Sequence, residues 1–95
     1  MNPTQELQNY LDQNGRITRF PGKRQKKKVM LMLKYLAGQF ETNRTYTETE
    51  VNDTLNQYHT FNDPAILRRL LFVRRMMHRT SDGRKYWKAD STTTN

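Results

Sequence analysis

The chain has 95 residues, 34% of them apolar and 27% charged, which is enough for one domain with a modest core. It has no cysteine, so disulfides, thiolate metal sites and a cysteine nucleophile are excluded. Its 17 Lys and Arg stand against 9 Asp and Glu, a net charge of +8 that favours polyanionic partners without specifying one. No apolar run approaches the roughly 20 residues of a membrane span, and the first ten residues are too polar for a secretory signal. A cytoplasmic location is therefore expected.

In chain order, Asn2-Pro3 reads as a helix start, and Leu7, Tyr10 and Leu11 recur at helical spacing. A first helix over 3–13 is expected, stopped by Asn14-Gly15. Residues 16–20 alternate and read as extended, followed by the turn signal Pro21-Gly22. Phe20 is expected to plug the core. Val29, Met32, Leu33, Leu36 and Phe40 mark one face of a helix over 26–41. Leu31 and Tyr35 widen that face, so this helix is either central or shared with a second subunit. A homodimer through helix 26–41 or the N-terminal helix is the corresponding expectation.

Arg44-Thr45-Tyr46 is short and β-prone. Thr47-Glu48-Thr49-Glu50 has the spacing of a capping box and predicts a helix over 48–58. Asp63-Pro64 opens the next, predicted over 64–76. Ile66, Leu67, Leu70, Val73 and Met77 are expected toward one side of it, and Arg68, Arg69, Phe72 and Arg75 toward the other. Asp82-Gly83 between two β-prone runs predicts a hairpin over 78–88. One of Tyr86 and Trp87 is expected to pack beneath the helix at 64–76. Residues 1–90 read as one domain and 91–95 as a disordered tail.

The order helix, short strand, helix, helix, strand, turn, strand is that of a winged helix-turn-helix, an α+β class, mainly α, with an extra N-terminal helix and a C-terminal β-hairpin wing. In helix-turn-helix proteins the second of the paired helices enters the DNA major groove. Charge follows the same plan. Arg16–Lys34 carries eight basic residues and no acid; Pro64–Lys88 carries eight with Asp82 alone opposing them. The candidate nucleic-acid contacts are Lys23, Arg24, Lys26 and Lys27 before and within the first turn of helix 26–41, Arg68, Arg69 and Arg75 on helix 64–76, and Arg84 and Lys85 beside the hairpin tip. Pairing of Arg68 or Arg69 with Glu48, Glu50 or Asp53 is the competing use of those side chains.

Arg19-Phe20-Pro21 with the lysines after it, Tyr46-Thr47-Glu48-Thr49-Glu50-Val51-Asn52, Leu67-Arg68-Arg69 and Asp82-Gly83-Arg84-Lys85-Tyr86-Trp87 occur in an order and spacing that resemble a prokaryotic family of domains of unknown function, number 2087 in that series. The resemblance spans about residues 16–88. Members occur alone or at the C-terminal end of proteins labelled transcriptional regulators, which implies a gene-regulatory role and brings no catalytic residues with it. Members usually carry an acid after Leu-Arg-Arg and another three residues later; here Leu70 and Val73 stand there, leaving the helix less acidic and more apolar.

No nucleophile–base pair, paired carboxylates or metal-spaced histidines are evident, so neither enzymatic activity nor a cofactor is expected. Double-stranded DNA is the expected partner and transcriptional regulation the expected role. A protein-interaction module of a regulatory complex and an RNA-binding domain are the alternatives.

Overall fold

The computed structural model describes residues 7–22 and 24–89. Three α-helices and a three-stranded antiparallel sheet follow one another as α1 (Lys26–Ala37), β1 (Thr45–Tyr46), α2 (Glu48–Asn56), α3 (Pro64–Val73), β2 (Met77–Arg79) and β3 (Tyr86–Lys88). The sheet order is β1-β3-β2. Among the described residues no helix is long and apolar enough to cross a membrane.

The N-terminal segment departs from the expected helix over 3–13. Residues 3–6 lie outside the described residues, and beyond them only Gln8–Tyr10 form a 3-10 turn. Leu11 instead bridges Ile17 antiparallel, and Ile17 bridges His59. The cause is the Asp12 side chain, whose Oδ1 accepts the N–H groups of Asn14 and Arg16, each at 2.9 Å. This fold-back competes with helix. Asn14-Gly15 thus closes a tight turn instead of ending a helix. Gly15 takes φ +77°, and a Cβ there would stand 2.8 Å from the Tyr35 hydroxyl, which donates to the Gly15 carbonyl at 2.6 Å.

Helix α1 is central. Met32, Leu33 and Leu36 are fully buried, and Leu31 and Tyr35 pack partly against the core. The Tyr35 ring also stands edge-on to Tyr58 at 6.5 Å. Its wide apolar face is therefore occupied within the chain. The helix stops at Ala37, short of the expected 41, because Gly38 leads into two 3-10 type turns that swing Phe40 into the core. Phe20 is not a core plug: it is over a third exposed and meets only the edge of Phe61, while Pro21 beside it is buried.

Helix α2 starts with the expected capping box: Thr47 Oγ1 accepts the Glu50 N–H at 3.1 Å, and Glu50 Oε1 accepts the Thr47 N–H at 2.8 Å. It ends at Asn56, two residues early. Asp63 caps α3 through the Ile66 N–H, and Pro64 occupies its first turn. Helix α3 ends at Val73 rather than 76. Arg75 enters the left-handed region at φ 62°, the Met76 N–H reaches the Leu71 carbonyl at 2.9 Å, and the Arg75 N–H reaches the Phe72 carbonyl at 3.0 Å. These are the two bonds of a Schellman cap with arginine where glycine is usual. The turn delivers Met77, buried, into β2.

The hairpin pairs Met77 with Lys88, His78 with Trp87 and Arg79 with Tyr86. On its other edge β3 takes Thr45 opposite Trp87 and Tyr46 opposite Tyr86. Alternation sends Met77, Arg79 and Tyr86 to the helix side of the sheet and His78 and Trp87 to the outer side. Tyr86 is the buried member of the adjacent aromatic pair.

Candidate nucleic-acid interface

Helix α3 buries Leu67 and Leu71. Its outward positions are Ala65, Ile66, Arg69, Phe72 and Val73, all exposed. This corrects the expected partition, because Ile66 is 39% exposed and Val73 58%. The helix meets the core through a stripe narrower than its apolar content suggests, so part of that content faces solvent.

Between α3 and the hairpin lies an open concavity of about 250 Å³, lined by Arg68, Arg69, Phe72, Val73, Arg79 and Tyr86. Arg79 was not singled out from sequence. It arrives there because β2 alternates, and its guanidinium sits 4.5 Å from the centroid of the Phe72 ring, a cation–π contact.

The lining arginines differ in electrostatic state. Arg68 Nη2 lies 3.2 Å from Glu48 Oε1, and its Nη1 donates to Asn52 Oδ1; the side chain is only 20% exposed. Arg68 is thus largely neutralised by α2, the competing use foreseen for it. Arg69 is exposed and has no ion pair or hydrogen bond among the described residues.

The remaining candidates distribute unevenly. Arg75 is exposed, but it sits in the cap after α3 and does not line the concavity. Arg84 and Lys85 are exposed on the hairpin connection, and Arg84 Nε approaches Asp82 Oδ2 at 3.7 Å. The Thr80 hydroxyl, bonded to the Asp82 carboxylate at 2.6 Å, and next the Arg84 N–H hold that carboxyl below its ordinary pKa. It stays ionised and offsets part of the charge at the tip. Arg24, Lys26 and Lys27 are exposed before and within the first turn of α1, where no acid counters the helix dipole, but none of them lines the concavity. Lys23 lies outside the described residues.

A second concavity, about 280 Å³, is lined by Glu41, Glu50 and Asp53 together with Arg44 and Tyr46. The acidic middle of the chain thus forms a surface of its own, separate from the arginine-lined one.

No curated protein and no solved structure matches the chain. The family model for an uncharacterized protein conserved in bacteria, DUF2087, matches residues 16–88, which takes in every described element from the Ile17 bridge through β3; the chain belongs to that family.

Proposed function

We propose that the protein binds duplex DNA as a transcriptional regulator, with α3 in the major groove and the β2–β3 hairpin as a wing on the backbone. The helix–strand–helix–helix–hairpin order and the sheet order β1-β3-β2 support a winged helix-turn-helix. The observation that carries the proposal is the joint exposure of Arg69 and Arg79 to one concavity between helix and hairpin, with Arg84 and Lys85 farther along the wing. Arginine suits both guanine edges and phosphates. In this reading the protein binds and does not catalyse, and a homodimer would read two half-sites.

The test is a competition among duplex DNA, duplex RNA and single strands, followed by a salt titration on the winner. Duplex DNA should win. With about 6 phosphate contacts the logarithm of the affinity should fall with that of salt at a slope near −5. Absence of duplex binding at low salt would contradict the proposal.

One observation favours a second reading, an interaction module of a regulatory complex. Ile66, Phe72 and Val73 expose apolar surface along α3, as a helix docking another protein would. A partner that remains bound after nuclease treatment, with no duplex affinity, would support it.

A further inference from the structure

The apolar groups on α3 have a use within the DNA reading, on which this inference rests. Arg69 is three residues from Phe72 and four from Val73, so the three side chains are neighbours on one helix face. Phe72 is 37% exposed, with its ring held by the Arg79 guanidinium, and Val73 is more exposed still. A face made only to hold phosphates has no need of these two side chains. Burying them against water-filled groove or backbone gains nothing.

One feature of the major groove is apolar: the C5-methyl of thymine. Guanine presents two acceptors in the same groove, which match the arginine fork. Base pairs follow one another at about 3.4 Å, so groups that neighbour each other on a helix reach adjacent steps. We propose that α3 selects a duplex in which a guanine lies beside a thymine, Arg69 taking the guanine edge and Phe72 with Val73 packing on the thymine methyl.

The experiment starts from selection of a random duplex library by the full chain. In the best duplex each thymine is then replaced singly by deoxyuridine, which removes the methyl and leaves every hydrogen-bonding group in place. At a thymine adjacent to a required guanine, affinity should fall about fourfold, the factor for losing burial of one methyl-sized group. Phe72→Ala and Val73→Ala should weaken binding to the thymine duplex and shrink its difference from the uracil duplex. The wild-type comparison does not depend on either variant folding. Equal affinity for thymine and uracil at every position, a selected site without a guanine–thymine step, or selection of no preferred sequence overturns the inference while duplex binding stands. Failure to bind any duplex overturns the DNA reading itself and this inference with it.

Discussion

The buried ring of His59 joins the end of α2 to the start of α3 through Asp63. Its Nε2 accepts the Asp63 N–H at 2.9 Å, so Nδ1 carries the proton and donates to the Leu55 carbonyl at 2.7 Å. Asp63 in turn caps α3. The ring also packs against Phe61 at 4.6 Å. One neutral imidazole thus sets the turn that aims α3.

His59→Ala should therefore cost about 2–4 kcal/mol, because it opens a cavity and leaves the Asp63 N–H and Leu55 carbonyl without partners. Urea denaturation of wild type and variant measures this. A loss within a few tenths of a kcal/mol would remove His59 from its bridging role.

Arg68 and Arg69 are neighbours in sequence with opposite expected behaviour. Arg68→Ala breaks the bridge to Glu48 and Asn52 between α2 and α3. It should lower stability by about 1 kcal/mol, since Glu48 is half exposed and solvent screens the pair. Its duplex affinity should stay near wild type. Arg69→Ala should keep stability and lose affinity. Denaturation and anisotropy measurements on the two variants check the pair.

Arg75 should be replaceable by glycine with a gain. At φ 62° its Cβ is strained, and Arg75→Gly should stabilise by about 1 kcal/mol. Arg75→Ala, which keeps the Cβ, should give no such gain. Thermal denaturation of both variants distinguishes backbone strain from loss of the charge.

Asp12 gives an acid-side prediction. The Arg16 N–H, most of all, holds its carboxyl below the ordinary 3.8, with the Asn14 N–H and the Arg16 side chain acting in the same sense. A depressed folded-state value means stabilisation that is fully present above 3.8 and lost as pH falls through the lower folded value. Asp12→Asn should be less stable than wild type at neutral pH, and the gap should close in strong acid. Denaturation midpoints across that range check it. A gap that widens on acidification would contradict the assignment.

Local chemistry made much of this fold legible. The Thr47–Glu50 box, the Asp63-Pro64 start and the Asp82-Gly83 reversal each act within a few residues, and each sits where its pattern implies. Element ends were less legible because tertiary contacts set them. Nothing in Arg74-Arg75-Met76 announces a helix stop; the chain turns there because Met77 belongs in the core and pairs with β3. Asn14-Gly15 suits a helix end or a reverse turn equally well, and the Asp12 carboxylate and Tyr35 hydroxyl, from elsewhere in the chain, decide between them. At the candidate interface Arg69 was visible as an outward arginine. Arg79 was not, because a three-residue strand has too short an alternation to assign a face before its partner is known. Ile66 and Val73 look like core by composition, and only the placement of α3 exposes them.

The most direct test of the central claim is duplex-DNA affinity for wild type and for Arg69→Ala plus Arg79→Ala at about 50 and 200 mM salt, with circular dichroism to confirm the fold. The double variant should bind more weakly at both concentrations and show a salt slope shallower by about 1–2, reflecting lost phosphate contacts. A folded double variant with wild-type affinity and slope would contradict the account.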